Sequence, residues 1–514
     1  MIYSDWAASK TGLQIPLFDN GKPMHSKYDP IREAKTFAEG INSGFIVVLG
    51  IGGAFHIKSL LEKADGMTFV LAVEADRESL DFCKKNPLAA ELEKDSRILF
   101  CHTGNLKEKI TLHYLPAVYD GFSVVPQRAW ETKCANLSEK IQKDIKEALS
   151  IISADFSVQS HFGKIWQRNI CINLSTFNGN PSIEDCNGKT AAVIAAGPSL
   201  DLSINELKEK RNSLKIFSTD TAYGTLLKNE ITPDFVVSID AQHISRTHFT
   251  ICPENPASNG TVFVFDLGAN PDAVRHVSSK GYKIFFASSS HPLSMLADTG
   301  TPLLENGAGT VTIAAADFAR QLGAKKIVLY GADFSYNRGK PYANGTYLER
   351  NFYSESGKLS PAETKYDALM FRAPLHKRLE KTPFSGKLEN PYASEILENY
   401  EKTQIEWCRL HSYELKDGIL ENTKQSTEIR KNKNFSFIEF HKNLVGELSK
   451  LLEKEAEGCK GGSEEIIKNP FAASILPFIA FLRKNEKSGN KVSFFSLLKL
   501  AYSQLTRYNV FYEK

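Results

Sequence analysis

Short runs of apolar residues alternate with polar stretches of helical length in two parts of the chain. In the first part, Phe45–Leu49 and Phe69–Val73 enclose a glycine turn and a helical stretch, and Ile98–Cys101 follows. In the second part, the pattern predicts strands at 190–196, 214–218, 234–239, 261–265, 282–287 and 325–330. Apolar strands that alternate with helices are typical of α/β domains with mostly parallel, Rossmann-like sheets.

The remaining segments have other patterns, and the whole chain is predicted to have four parts. Apolar residues at helical spacing predict a pair of helices from Asn136 to Phe177 and a helical bundle from Ser436 to the end. Residues 334–392 are aromatic and polar with several Pro and Gly, which is typical of a long lid or of a surface excursion. The predicted parts are a smaller N-terminal Rossmann-like α/β domain (1–135), a helical linker (136–186), a central α/β domain that includes the lid (187–420) and a C-terminal helical domain (421–514).

Composition and charge exclude several classes of function. With 63 Lys and Arg against 60 Asp and Glu, the net charge is +3, which is not typical of a nucleic-acid-binding surface. No apolar run reaches the roughly 18 residues of a membrane span, and the N-terminal MIYSDWAASKTG lacks the apolar region of a secretory signal. Eight scattered cysteines without a CxxC pair predict reduced thiols, a cytoplasmic protein and no zinc site.

The first glycine turn has two interpretations. Gly50 and Gly52 follow a buried strand, and Glu74 ends the next strand about 20 residues later, where a Rossmann domain binds ribose. These residues predict either a nucleotide or S-adenosylmethionine pocket or a Rossmann-like scaffold that binds nothing. The third glycine comes too early for the GxGxxG pattern, which favours the scaffold.

Small polar or acidic residues follow five of the six predicted central strands. They are Ala196, Gly197, Pro198 and Ser199 after the first strand, Thr219 and Asp220 after the second, Asp240 and Gln242 after the third, Ser288 to His291 after the fifth, and Asp333 after the last. A further turn, which contains Gly307, Gly309 and Thr310, opens a helix of small residues. Because parallel sheets bind ligands beyond the carboxyl ends of their strands, these residues predict a ligand cleft.

Three stretches carry a resemblance to a known family. They are AAGPSLD at 195–201, STDTAYGTLLKNEITPDFVVSIDAQ at 218–242 and GAGTVTIAAADFARQLGAKKIVLYGADFSY at 307–336. They resemble the motility-associated factor glycosyltransferases and the wider group that includes 6-hydroxymethylpterin pyrophosphokinases, and they are more distantly similar to bacterial sialyltransferases. The helix FGKIWQRNICINL at 162–174 also looks like that family.

The resemblance implies an enzyme, its substrates and a set of site residues. It implies that a CMP-activated nonulosonic acid, a sialic-acid-like sugar such as pseudaminic acid, is transferred to a Ser or Thr of flagellin. By the same resemblance, the Ala196–Ser199 turn contacts the nucleotide, the Gly307–Thr310 turn lies beside the donor, and Tyr336 and Tyr342 line the donor pocket. No metal is obligatory, although the acids at the strand ends are compatible with Mg²⁺. The sequence carries no signal for an oligomeric state.

Transfer from such a donor has two chemical requirements. The leaving phosphate must be stabilised, for which the N–H groups of the two glycine turns at helix starts are suited. The acceptor hydroxyl must lose its proton to a base. Sialyltransferases place a histidine before the helix at 393–410, but 387–391 here reads KLENP. The base is therefore left open between His376 and the acids Asp220, Asp240 and Asp333.

The sequence is also compatible with three other functions. A pyrophosphokinase-like transferase on the same scaffold would use ATP and Mg²⁺, and the three acids favour it. A non-catalytic scaffold that binds a nucleotide sugar or flagellin is favoured by the missing histidine. A methyltransferase would use the N-terminal glycine turn.

Overall fold

The computed structural model describes residues 1–64, 66–186, 188–254, 260–305, 309–377, 392–422, 433–456, 463–486 and 492–513. The chain forms two compact units, of which the first comprises residues 1–164 and 441–514 and the second comprises residues 165–440. The N-terminal α/β segment and the C-terminal helices thus fall in one unit. The four-part division stays a prediction.

The strands and helices follow in chain order. The strands are β1 (Tyr3–Ala8), β2 (Gln14–Phe18), β3 (Phe45–Leu49), β4 (Phe69–Glu74), β5 (Ile98–His102), β6 (Phe122–Pro126), β7 (Thr190–Ile194), β8 (Leu214–Thr219), β9 (Phe235–Ser238), β10 (Val262–Asp266), β11 (Lys283–Ala287), β12 (Lys326–Tyr330), β13 (His376–Lys377), β14 (Tyr392–Ala393), β15 (Tyr413–Lys416) and β16 (Ile419–Asn422). The helices are α1 (Pro30–Ala38), α2 (Phe55–Lys63), α3 (Arg77–Lys84), α4 (Pro87–Leu92), α5 (Leu106–His113), α6 (Arg128–Lys133), α7 (Ser138–Thr176), α8 (Leu200–Lys210), α9 (Asp220–Lys228), α10 (Pro271–Ser279), α11 (Pro292–Ala297), α12 (Val311–Gln321), α13 (Tyr347–Ser354), α14 (Ala362–Met370), α15 (Glu395–Leu410), α16 (Phe437–Ala456), α17 (Ser463–Lys468), α18 (Pro470–Ser474), α19 (Leu476–Lys484) and α20 (Phe494–Thr506).

The central sheet lies in the second unit. Within the described residues it has eight strands in the order β11-β10-β9-β8-β7-β12-β16-β15. The pairs from β11 to β12 are parallel, whereas β16 and β15 add an antiparallel hairpin at one edge. β7, β9 and β10 are buried throughout or nearly so, as expected for strands covered by helices on both faces. The predicted fold class is confirmed.

The N-terminal sheet is parallel, with its strands in the order β5-β4-β3-β6, and β1 and β2 form a separate antiparallel hairpin.

The glycine turn after β3 is filled by other residues of the protein. A Cβ on Gly50 would lie 2.6 Å from the Trp130 ring, and one on Gly52 would lie 2.2 Å from Met24 Sδ. Glu74 is fully buried and accepts hydrogen bonds from Trp130 Nε1 (2.6 Å) and from the Tyr3 hydroxyl (3.1 Å). The pocket formed by Gly50, Gly52 and Glu74 is therefore closed to a nucleotide or to S-adenosylmethionine.

Helix α7 is one continuous helix of 39 residues, where the sequence predicted a pair. Gly163, near the start of the predicted second helix, allows close packing within the first unit. A Cβ at this position would lie 1.8 Å from the Pro477 carbonyl oxygen, so only glycine lets the backbones of α7 and α19 meet.

The last turns of α7 hold the carboxyl ends of two central strands in place. Asn169 Nδ2 donates to the carbonyls of Ala241 and Gly268 (both 3.0 Å). Asn173, one turn later, donates to the carbonyls of Leu267 and Ala269 (2.8 and 2.9 Å). Residues four apart share a helix face, so both amides reach the loop after β10, and Asn169 also reaches the loop after β9. This contact gives the FGKIWQRNICINL motif a structural role.

Replacing Asn173 with aspartate is expected to lower the free energy of unfolding by about 1–3 kcal/mol, because two buried carbonyls would lose their donor and face a carboxylate. Chemical denaturation followed by circular dichroism measures this change. Asn178→Asp is the matched control, since Asn178 is exposed. An equal loss in both variants would contradict the proposed role of Asn173.

The predicted lid is only partly loop. It contains α13 and α14, and β13 pairs with β14 at its far end, whereas residues 378–391 lie outside the described part. Among the described C-terminal residues, α16 to α20 agree with the predicted helical tail. No helix in the described ranges is both long and apolar enough to cross a membrane.

Candidate active site

The turns after β7 and β12 pack backbone against backbone. The Gly197 N–H donates to the Gly331 carbonyl (2.8 Å), and a Cβ on Gly197 would lie 2.4 Å from that oxygen. Gly331 has a φ of +69°, and a Cβ there would lie 2.3 Å from the Ala195 carbonyl oxygen. Close approach therefore requires both glycines, and it brings Ser199 next to Asp333.

Asp333 is bonded to the first turn through both of its oxygens. Its Oδ2 accepts from the Ser199 N–H (2.8 Å), and its Oδ1 accepts from the Ser199 hydroxyl. Burial raises the pKa of the Asp333 carboxyl, while the bonds from Ser199 act in the opposite direction. Asp333 is thus the partner that fixes the turn.

The N–H groups of this turn are already used. Leu200 donates to the Gly197 carbonyl and Asp201 donates to the Pro198 carbonyl, in addition to the bonds made by Gly197 and Ser199. The sequence predicted that these N–H groups bind the leaving phosphate, but in this structure the protein occupies them. Contact between Ala196–Ser199 and a donor stays a prediction, but it cannot rest on these amides.

The segment after Tyr336 closes over the same turn. Ala343 N–H donates to the Ala196 carbonyl (2.9 Å), and Asn344 N–H donates to Asp201 Oδ1 (2.9 Å). Thr346 then caps α13 through the Glu349 N–H. The start of the lid is therefore anchored to the β7 turn. The role of Tyr336 and Tyr342 in a donor pocket stays a prediction.

Asp220 lies at the carboxyl end of β8 and is buried. Its Oδ2 accepts from the Ser238 hydroxyl (2.7 Å), and its Oδ1 accepts from the Thr221 N–H (2.7 Å). Thr219, just before it, is also buried, and its hydroxyl caps α9 through the Ala222 N–H (3.3 Å). Thr219 thus has a structural role, whereas Asp220 faces the neighbouring strand end.

Asp240 is half-buried after β9, and its Oδ1 accepts from the N–H of the exposed Gln242 (3.0 Å). Burial raises the pKa of the Asp240 carboxyl, the Asp220 charge raises it further, and His248 lowers it. The structure therefore brings Asp220 and Asp240 into electrostatic contact, as their positions at neighbouring strand ends predicted.

Two lid tyrosines interact electrostatically with these acids. Burial raises the pKa of Tyr342, and the neighbouring groups Tyr336 and Asp220 add to the effect. Burial also raises the pKa of Tyr347 to about 12, with further contributions from Tyr342, Asp220 and Asp240. The lid and the strand ends thus form one polar, aromatic cluster. Tyr347 was not among the residues predicted from the sequence.

His248 is a second residue that was not predicted from the sequence. It is buried in the short helix His243–Phe249 after β9, and its ring packs edge-on against Tyr347 with the centroids 4.4 Å apart. Its Nδ1 is buried and has no hydrogen-bond partner. The signal was its position, eight residues beyond Asp240 in the loop that follows the same strand.

The second predicted turn opens α12. Gly307 lies outside the described residues, whereas Gly309 has a φ of +70°, and a Cβ on Gly309 would lie 3.4 Å from the Tyr400 ring. The Thr310 hydroxyl caps the helix through the Ile313 N–H (3.4 Å). In the described part of the chain, the N–H groups of Val311 and Thr312 have no hydrogen-bond partner, as is usual in the first turn of a helix.

Of two exposed basic residues in the lid, one is paired with a carboxylate and, within the described ranges, the other is not. His376 is exposed and its Nε2 pairs with Glu398 (2.8 Å) on α15. Arg372 is exposed and acts on the pKa of Tyr342, and among the described residues its guanidinium has no hydrogen bond or ion pair. Arg372 is thus available to an anionic ligand beside Tyr342.

One group of side chains has the composition of a metal site. His411 Nε2 lies 2.7 Å from Glu305 Oε2, and Asp317 is close to both. Asp317 is already bonded to Arg320 Nε and Gln321 Nε2 (both 2.8 Å). A guanidinium on the central carboxylate disfavours a cation, so these contacts are better suited to an ion-pair network.

Asp266, at the carboxyl end of β10, is expected to make stability depend on pH. It is buried, its Oδ1 accepts from the Gly268 N–H (2.6 Å), and its Oδ2 has no partner. Burial raises the pKa of Asp266 from 3.8 to about 6. The native state therefore resists ionisation of this group, and its contribution to stability is lost as the pH rises through about 6.

The shift from 3.8 to about 6 is about 2 pKa units, or about 3 kcal/mol. Asp266→Asn keeps the acceptor for Gly268 and removes the charge. The free energy of unfolding of wild type minus that of Asp266→Asn should fall by about this amount between pH 4 and pH 7. Urea titrations across this range measure it. A difference that does not change with pH would contradict the expectation.

The comparisons with known proteins agree with this fold. Residues 168–339 match the family model described as 6-hydroxymethylpterin diphosphokinase MptE-like. A solved structure described as the MAf glycosyltransferase from Magnetospirillum magneticum AMB-1 aligns with 99% of this chain and 87% of its own chain, with a TM-score of 0.51 and 13% identity. At that identity the likeness shows the fold.

Three proteins of Treponema pallidum (strain Nichols), each described as uncharacterized, are similar over part of the chain. One is 36% identical over 163 residues, which are 30% of this chain and 78% of the relative. The other two are 40% identical over 163 residues and 28% identical over 198 residues, and the chain spans 55% and 48% of their lengths. Together with the match over the central sheet, these likenesses show that the chain belongs to the MptE-like, motility-associated factor family.

Proposed function

We propose that this protein is a glycosyltransferase that moves a CMP-activated nonulosonic acid to a Ser or Thr hydroxyl of flagellin. The cluster at the carboxyl edge of the central sheet carries the proposal. It joins Asp220, Asp240 and His248 from the strand ends with Tyr342 and Tyr347 from the lid. An edge closed by an anchored lid is suited to a reaction that must exclude water.

The leaving phosphate is expected at the head of α12. Its first N–H groups, at Val311 and Thr312, have no partner in the described part of the chain, and a helix N-terminus favours an anion. Arg372, which lowers the pKa of Tyr342, supplies an exposed positive charge for the phosphate or for the carboxylate of the sugar. The donor is thus held between α12 and the lid, and no metal is needed for this step.

His248 is the general base in this proposal. The acceptor oxygen forms its bond to the anomeric carbon while the imidazole takes the hydroxyl proton, and the bond to the phosphate breaks with its electron pair leaving on CMP. Asp240, which interacts electrostatically with His248, stabilises the imidazolium that forms. His376 is exposed and paired with Glu398, which makes it a weaker candidate.

Mass spectrometry of flagellin tests this function. Flagellin is co-expressed with the protein in a host that makes a CMP-nonulosonate, and its peptides are compared with those from cells that carry an empty vector. Added nonulosonate mass on Ser or Thr is expected only with the protein present. Unmodified flagellin in a host shown to contain the donor would contradict the proposal.

A nucleotide-dependent diphosphokinase is the second candidate. The matched family model carries that activity in its description, and Asp220 and Asp240 lie in electrostatic contact as Mg²⁺ ligands would. The Asp220 carboxylate, however, already accepts hydrogen bonds from the Ser238 hydroxyl and the Thr221 N–H. Binding of Mg²⁺-ATP without binding of CMP would favour this candidate.

A further inference from the structure

The N-terminal parallel sheet has a topological switch point, and a cavity lies beside it. β4 pairs with one side of β3 and β6 with the other, so the loops after β3 and β6 diverge at the carboxyl ends. Sheets of this kind bind ligands at that point. A cavity of about 730 Å³ has His56 of α2 together with Gln127 and Arg128 after β6 in its wall. This volume is typical of small-molecule sites.

The glycine turn and Glu74 are closed by the protein itself, so the cavity is separate from the dinucleotide position. Its second wall comes from the segment 25–37, which includes most of α1. Gln127 joins the two walls, since its Nε2 donates to the Met24 carbonyl (2.8 Å). The cavity is therefore formed by elements that are fixed to one another.

One residue of the cavity wall, His56, has a buried nitrogen with no hydrogen-bond partner. The side chain is buried, and its Nε2 lies 2.9 Å from the Gly50 carbonyl, which can only accept, so Nε2 carries the proton. Burial and the neighbouring His25 lower the pKa of His56 to about 3, which keeps the ring neutral. Its Nδ1 is then an acceptor, and it has no partner. A ligand hydroxyl or N–H group would satisfy it.

Glu33 is committed to the protein. Its Oε2 accepts from the Ser26 N–H (2.9 Å) and lies 3.5 Å from His25 Nδ1. The Gly53 N–H donates to His25 Nε2 (2.9 Å), so the proton of a neutral His25 is on Nδ1 and points to Glu33. This carboxylate therefore has two donors of its own.

Three further charged residues line the cavity. One is an acid that is bonded within the protein, and two are arginines. Asp29 caps α1 by accepting from the N–H groups of Ile31 and Arg32 (both 3.0 Å). The guanidinium groups of Arg32 and Arg128 have no hydrogen bond or ion pair among the described residues. Both side chains are exposed, so they lie at the mouth of the cavity. Free guanidinium groups are suited to phosphate and carboxylate.

We propose that this cavity binds an anionic sugar, which places a phosphate or carboxylate on Arg32 and Arg128 and a hydroxyl on Nδ1 of His56. The site is separate from the central sheet and does not depend on the proposed transferase function. It gives the N-terminal α/β segment a ligand-binding role in place of the dinucleotide site that its glycine turn suggested.

Isothermal titration calorimetry of the full chain with four probes tests this proposal. The probes are glucose 6-phosphate, glucuronate, glucose and inorganic phosphate. At least one of the two anionic sugars should bind, and which of them does so identifies the anion. The affinity for glucose and the affinity for inorganic phosphate should each be lower by about tenfold or more, because each of these probes lacks one set of contacts.

Arg32→Gln/Arg128→Gln is expected to weaken binding of the anionic sugar by about tenfold or more, with an unchanged melting temperature because both side chains are exposed. Arg507→Gln, at an exposed arginine of the same unit, and Arg372→Gln, in the central site, should bind as wild type does. The proposal is overturned if neither anionic sugar binds, if glucose binds equally well, or if Arg372→Gln rather than the double variant abolishes binding.

Discussion

Replacing His248 with phenylalanine is expected to lower the rate of sugar transfer by about 10²- to 10⁴-fold, the range of general acid–base catalysis. Phenylalanine keeps an aromatic ring beside Tyr347 but removes the nitrogen that takes the acceptor proton. CMP affinity should stay unchanged, because the proposed donor contacts lie at α12 and Arg372. The rate is measured as glycosylated flagellin formed per unit time from a purified donor.

His243→Phe is the matched control, because His243 lies in the same short helix but is exposed. This variant should transfer sugar at the wild-type rate. If His248→Phe is as active as His243→Phe, His248 is not the base. If it loses CMP affinity along with activity, His248 has a role in the structure or in donor binding instead.

Replacing Gly197 with valine is expected to lower the free energy of unfolding by about 3 kcal/mol or more and to abolish transfer. The added Cβ would lie 2.4 Å from the Gly331 carbonyl oxygen and 2.8 Å from Asp333 Oδ2. Overpacking in a rigid site costs about 1–3 kcal/mol, occasionally more, and here the obstacle is backbone that cannot rotate away. The same shift would separate Ser199 from Asp333 and disturb the anchored lid.

Thermal and urea denaturation measure the loss, and Gly357→Ala serves as its control. A Cβ on Gly357 meets no atom within 4 Å, and its φ is not in the left-handed region, so this variant should be as stable as wild type. A Gly197→Val protein with wild-type stability and activity would show that the two turns are not held together as described.

The sequence predicted most of the two parallel sheets, because their strands are buried on both faces and appear as continuous apolar runs. β6 was missed because its residues are half-exposed and it ends at Pro126. α13 had a recognisable signal, since Thr346 and Glu349 have the spacing of a capping box. The single helix α7 was predicted as a pair of helices, and the reason for glycine at position 163 lies in Pro477, more than 300 residues away in the chain.

The sequence predicted which strand ends lie next to one another but not the hydrogen bonds made there, and the ligand cleft itself stays a prediction. The strand ends do bring Asp220 and Asp240 together with the lid tyrosines. Whether the N–H groups of a glycine turn are free to bind a ligand depends on residues that are distant in the chain. The Ser199 N–H, for example, donates to Asp333, which is 134 residues away. Local patterns do not contain such long-range hydrogen bonds. For the same reason the sequence did not connect His248 to Tyr347.

The central claim is that a CMP-linked donor binds between the head of α12 and the lid. Isothermal titration calorimetry with CMP and with Mg²⁺-ATP, on wild type and Arg372→Gln, tests it most directly. We expect wild type to bind CMP and not Mg²⁺-ATP, and Arg372→Gln to bind CMP about tenfold more weakly because a charge-assisted contact is lost. Binding of Mg²⁺-ATP without CMP, or CMP binding that Arg372→Gln leaves unchanged, would contradict the claim.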